Sequence, residues 1–266
     1  MKRVLALDFD GVIADSAPEA FVVAARTFAR LRPACALAAA LAPLDGDAAP
    51  PRAVVDAHPL YAAFLELMPL GNRAEDYGVV LDSLERDASL PDQGAYDAWR
   101  DRIDREWLRG FHRAFYQVRA ALAERDPAGW NALIGPYPLL PELLRRRAGD
   151  ALLAIATAKD RVSVGRLLHT WGMGDLFPPE RVLDKEAGVS KAAHLVELQR
   201  RSGVPFREIT FVDDKVNHLD TAAPLGVRCA LAAWGYNGER ERRIARERGY
   251  LVCGLGDVEG QIFGSA

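Results

Sequence analysis

Cysteine is scarce in this chain: Cys35, Cys229 and Cys253 are the only three, far apart and without metal-ligand spacing. That excludes a disulfide framework or a zinc ribbon and points to a reducing compartment with thiols used for packing. An excess of charge of one sign is also missing. The 34 Lys and Arg nearly balance the 37 Asp and Glu, for a net charge of -3. There is thus no electrostatic ground for nucleic acid or an anionic membrane as a partner, and a small ligand is expected. No apolar run approaches the roughly 20 residues of a membrane span. Lys2 and Arg3 imitate the start of a secretion signal, but Asp8 interrupts the apolar run too early, so a cytoplasmic protein is expected. The five histidines (His58, His112, His169, His194, His218) form no pair at metal-site spacing. Surface or packing roles are assigned to them, with His218, near an acidic pair, closest to an exception.

What is present is enough apolar residue, 50% of 266, to bury a core in one or two domains. Lys2 to Phe9 reads as a short aliphatic strand ending at Asp8, Asp10 and Gly11, as expected of a central strand in a parallel sheet. Similar runs return only later, at "ALLAIAT" (151–157), "EITFVDD" (208–214), "VRCALAA" (227–233) and "YLVC" (250–253). Helical patterns lie between them at 160–172, 189–201 and 238–249. This alternation predicts an α/β fold with a doubly wound parallel sheet, whose ligand site lies at the carboxyl ends of the strands.

Residues 17–134 break the rhythm. They are alanine-rich, carry no convincing strand, and include a helical pattern from Asp92 to Arg125. On it Trp99, Ile103, Trp107, Phe111 and Phe115 recur every fourth residue as one apolar face for a helical bundle. The expectation is an α/β core built from 1–16 and 135–266, with an α-helical domain inserted over 17–134. "IGPYPLLPE" reads as the turn on return, and the arginine-rich runs at 145–147 and 238–249 as solvated helix faces.

In a parallel sheet the strand ends would bring Asp8, Asp10, Thr157, Asp213 and Asp214 to one crevice. Several carboxylates in one crevice repel one another unless a cation is present, and hard oxygen donors suit magnesium. Four ordered motifs, "DFDGV", "AIATA", "AGVSKAAHL" and "ITFVDD", resemble those of the haloacid dehalogenase-like superfamily over roughly 1–16 and 135–255. The resemblance implies a Rossmann-like core with a helical cap and an aspartyl-phosphate mechanism. It makes Asp8 the nucleophile and Asp10 the general acid/base. It places Thr157, Ala158, Lys191 and Gly11 on the phosphate, and Asp8, Asp10 and Asp213 on Mg2+, with Asp214, which stands where many members carry serine, expected as a further metal ligand. Lys185 is the rival to Lys191. Asn217, four residues after Asp213, stands where many members carry a second aspartate, which lowers the charge around the ion. "DGVIADS" and "AAWGYN" most resemble the phosphoglycolate-phosphatase-like members.

The implied function is a magnesium-dependent phosphatase of a small phosphorylated metabolite, monomeric or homodimeric, without nucleic-acid or membrane partners. Asp10 favours phosphate esters over carbon–halogen bonds, because an alkoxide leaving group needs a proton and a halide does not. A sugar phosphomutase resembling β-phosphoglucomutase, and a catalytically weak metabolite-binding protein on the same fold, are the alternatives.

Overall fold

The computed structural model describes residues 3–71, 73–188 and 190–264, so Lys2 lies outside the described residues. The chain divides into two compact units, Met1–Asp15 with Pro136–Ala266 and Ser16–Gly135.

The first unit carries a six-stranded, all-parallel sheet with the order β5-β4-β1-β6-β7-β8. Its strands are β1 (Val4–Leu7), β4 (Leu152–Ala156), β5 (Val182–Leu183), β6 (Ile209–Asp213), β7 (Arg228–Ala232) and β8 (Leu251–Cys253). Two-residue strands β2 (Ala14–Asp15) and β3 (Gly135–Pro136) pair separately. All four residues of β1 are buried, as befits a strand covered on both faces by crossover helices. Val4, Ala6, Ala154, Leu195, Phe211, Leu219 and Leu231 belong to one apolar cluster that ties sheet to helices.

Two features of this unit depart from the pattern reading. β5 is too short for periodicity to reveal. "PYPLLPE" holds the start of a helix, Leu140–Arg146, with Pro141 in its first turn. Proline ends a helix from within but is tolerated there, where the missing N–H has no helical partner to lose. Arg145, Arg146 and Arg147 pair with Asp175, Glu259 and Asp150, so the basic run is neutralised locally. The cysteines are free, and Cys229 and Cys253 are buried.

The second unit is helical, its longest members being Ala17–Leu31, Ala74–Glu85 and Arg105–Arg125. The pattern expected as one helix from Asp92 to Arg125 is two, Gln93–Arg100 and Arg105–Arg125. Asp104 causes the break: its backbone is extended and its carboxylate accepts the Trp107 N–H at 2.7 Å, capping the second helix. The apolar stripe survives the break. Phe111 and Phe115 are buried, Trp107 lies 5.4 Å from Phe111, and Phe115 lies 5.5 Å from Tyr77. The buried Glu19 carboxylate is held by Arg119 and by the Trp130 indole N–H at 3.0 Å.

Candidate active site

Strand register assembles the site. Leu7 of β1 is level with Ile155 of β4 on one side and Val212 of β6 on the other. The next residues, Asp8, Ala156 with Thr157, and Asp213, therefore emerge side by side at the carboxyl edge, although they are about 200 positions apart in sequence. The Asp8 N–H donates to the Val212 carbonyl at 2.9 Å, which locks the first of these ends against the third.

Lys191 opens the helix Lys191–Ser202, whose N-cap Ser190 accepts the Ala193 N–H through its hydroxyl at 3.2 Å. That start directs the side chain under the strand ends. Nζ donates to the Ala156 carbonyl at 2.8 Å and lies 2.7 Å from Asp8 Oδ1 and 3.3 Å from Asp213 Oδ2. Lys185, the rival, is exposed. Burial opposes the Lys191 charge, but the Asp8 and Asp213 carboxylates outweigh it and hold the ammonium above its ordinary range.

The acids respond differently to a common environment. Burial pushes Asp8 up to about 6 against the pull of Lys191. Asp213 is equally buried, but His218 and Lys191 more than offset the burial and hold it below the usual carboxylate range. Asp214 is driven well above that range by burial and by the charge of Asp213. Its Oδ2 accepts the Tyr236 N–H at 3.0 Å.

Gly11 has φ +83°, and a Cβ there would lie 2.4 Å from Asp214 Oδ2. Glycine is required twice over, by conformation and by room. A Cβ on Gly235 would fall 2.2 Å from the Gly11 carbonyl oxygen. Around that contact Trp234 Nε1 donates to the Val12 carbonyl at 3.0 Å, and Asn237 Nδ2 donates to the Asp214 carbonyl at 3.1 Å. The "AAWGYN" segment thus holds the loop after β1 in place.

Asp10 is a third exposed, and its carboxylate pairs with Lys159 Nζ at 3.1 Å. Thr157 is buried, and its hydroxyl accepts the Lys159 N–H at 3.1 Å. Ala158 is exposed. Asp8, Thr157, Lys191 and Asp213 are therefore brought together, with Asp10 two residues beyond Asp8.

Among the described residues, one group of side chains has the spacing to hold a metal ion: Asp8, Asp213 and His218, with one donor atom from each within 4.8 Å of the others. The carboxylates of Asp10 and Asp214, both expected on the metal, are not in that group. Asp214 faces Gly11, Gly235 and the Tyr236 amide instead. Asn217 is exposed, while His218 Nδ1 lies 3.0 and 3.1 Å from the two Asp213 oxygens. The helix Val216–Ala222 begins three residues after Asp213, and this phase turns position 218, not 217, toward the strand end. The sequence pattern does not single out Lys159, and it gives His218 a surface or packing role, although His218 is the nearest exception among the histidines. The available signal for each was proximity to a motif, two residues past Thr157 and five past Asp213.

A family model described as haloacid dehalogenase-like hydrolase matches residues 2–226. The chain belongs to the haloacid dehalogenase-like hydrolases. Human magnesium-dependent phosphatase 1 is 27% identical to this hydrolase over 115 residues, covering 42% of the chain and 62% of that relative's length. A Lactobacillus delbrueckii subsp. bulgaricus structure, provisionally named a phosphoglycolate phosphatase, superposes with a TM-score of 0.69 at 14% identity over the whole of both chains. A haloacid dehalogenase-like family protein of Streptococcus pneumoniae gives 0.62 at 10% identity over 99% of each chain. At these identities the likeness is one of fold. No helix among the described residues is long and apolar enough to cross a membrane.

Proposed function

We propose that this hydrolase cleaves phosphomonoesters of small metabolites, with Asp8 as nucleophile and Asp10 as general acid and base. The observation that carries the reading is the division of labour at the end of β1. Asp8 is buried against Lys191, while Asp10, two residues on, is a third exposed beside Lys159. One carboxylate is held still for attack and the other is open to a leaving group.

In the first step an Asp8 oxygen attacks phosphorus, the ester P–O bond breaks, and Asp10 gives its proton to the departing alkoxide. In the second, Asp10 takes a proton from water, the water oxygen attacks phosphorus, and the Asp8–phosphate bond breaks to release inorganic phosphate. Lys191 orients Asp8 and offsets charge, while the Thr157 hydroxyl and the Ala158 amide bind phosphoryl oxygens. Gly11 lets the loop backbone approach the phosphate.

The residues fit a divalent cation: two buried carboxylates, Asp8 and Asp213, meet one buried ammonium, Lys191, and have donor atoms close enough to share an ion. Asp8 and Asp213 would hold the ion, with the Asp10 carbonyl as a further oxygen donor. Bound magnesium supplies neutralisation for the approach of one anion to another. The human relative's name supports magnesium, and the helical insertion over 17–134 is assigned the part of a cap that sets substrate identity.

Phosphate release from a panel of small phosphate esters, with and without Mg2+, tests this reading. Metal-dependent release by the wild type and a loss of at least about a thousandfold in Asp8→Asn are expected. No release from any ester by folded, metal-binding protein would overturn it and direct attention to phosphoryl return to a sugar.

A further inference from the structure

His218 has no task in the mechanism above, yet it is the third member of the one group among the described residues that is spaced to hold an ion. It lies on the Val216–Ala222 helix, 30% exposed, with Nδ1 within 3.1 Å of both Asp213 oxygens. Asp213 is held from other directions by the Lys215 N–H at 2.9 Å and by Lys191. Nitrogen and oxygen donors sit about 2.0–2.2 Å from a small divalent ion, so donors sharing one ion are roughly 3–4.4 Å apart. The 4.8 Å span of Asp8, Asp213 and His218 needs a contraction of only a few tenths of an ångström at its widest to reach that range.

We propose that His218 is a protein ligand of the cation and makes this a mixed oxygen–nitrogen centre that prefers first-row transition ions, cobalt and zinc in particular, over magnesium. The proposal rests on the reading of Asp8 and Asp213 as cation ligands. Its physical basis is the donor set. Magnesium takes oxygen and surrenders its water reluctantly, whereas imidazole adds affinity for ions later in the series. An imidazole also brings no negative charge, so the gain goes to ions that bond nitrogen well and not to hard cations in general. For ligation Nδ1 must present its lone pair, with the ring proton on Nε2, and any Nδ1 proton shared with Asp213 passes to solvent as the ion enters.

The test has two readouts that need no turnover. Metal-free wild type is loaded with Mn2+ and examined by pulsed electron paramagnetic resonance for 14N coupling. Kd values for Co2+ and Mg2+ are then measured by calorimetry for wild type, His218→Asn and His218→Asp. The expected result is imidazole 14N coupling in wild type that is absent from both variants. The preference for Co2+ over Mg2+ should fall about tenfold or more in His218→Asp, which restores an all-oxygen set. Bound Mn2+ without nitrogen coupling, or an unchanged preference in both variants, would overturn the proposal and leave His218 as a positioning residue for Asp213, with the cation site intact. Failure of wild type to bind any of the three ions, with Asp8→Asn and Asp213→Asn behaving the same, would overturn the cation reading together with it. The resonance experiment on wild type stands even if a variant fails to fold.

Discussion

Asp8 shows how a residue suited to attack burdens the fold that holds it. Its carboxyl titrates near 6 in the folded protein against an ordinary 3.8, because burial disfavours the anion more than Lys191 favours it. A carboxyl with a raised folded value contributes stability that is fully present below about 3.8 and is lost as pH rises through about 6. Asparagine has nearly the same shape and no titration. The metal-free Asp8→Asn protein should therefore gain on wild type between pH 4 and pH 7, by up to roughly 3 kcal/mol. Urea unfolding at the two pH values measures this directly. A difference between the proteins that does not change with pH would show that Lys191 fully compensates the buried charge. The variant expected to be inactive is thus also expected to lose less stability than the wild type as pH rises from 4 to 7.

At the scale of elements, the clearest lesson is the interrupted helix of the second unit. Every-fourth-residue spacing from Trp99 to Phe115 describes one face but says nothing about backbone continuity. Asp104 stands three residues before Trp107, an arrangement that can start a helix as well as sit in one, and here it starts one. Replacing it with alanine should cost about 1 kcal/mol, the usual worth of a cap. Chemical denaturation followed by tryptophan fluorescence would report it, and an unchanged midpoint would mean that the stripe packing alone sets the helix start. In the first unit the corresponding element is the loop Gly11–Ala14, set by contacts with Trp234, Gly235 and Tyr236 that come from more than 200 residues later. "AAWGYN" was legible as a resemblance, but its physical role is visible only once the two loops meet.

At the scale of the molecule, the six-stranded sheet, its apolar cluster and every residue named in the site belong to the first unit. A chain joining 1–15 to 136–266 through a short flexible linker should therefore fold on its own, with an α/β circular dichroism spectrum and one cooperative thermal transition. Gradual, uncooperative melting would show that the core depends on the helical unit for its stability.

Much of this was open to a reader of the sequence alone. Five of the six strands of the large sheet, the carboxyl-edge location of Asp8, Thr157 and Asp213, and Lys191 in a first helical turn follow from local pattern. Apolar runs ending in polar residues announce buried parallel strands whatever they pack against. Other features depended on three-dimensional neighbours: His218 over Asn217 beside Asp213, and Asp214 as a buried acid facing glycines and an amide. These are decided by helix phase, strand register and the fields of distant charges. Register and distant charges have no local signature, because they are set by residues tens to hundreds of positions away that only folding brings within a few ångströms, and the phase of a short helix can be read only against the strand end it faces.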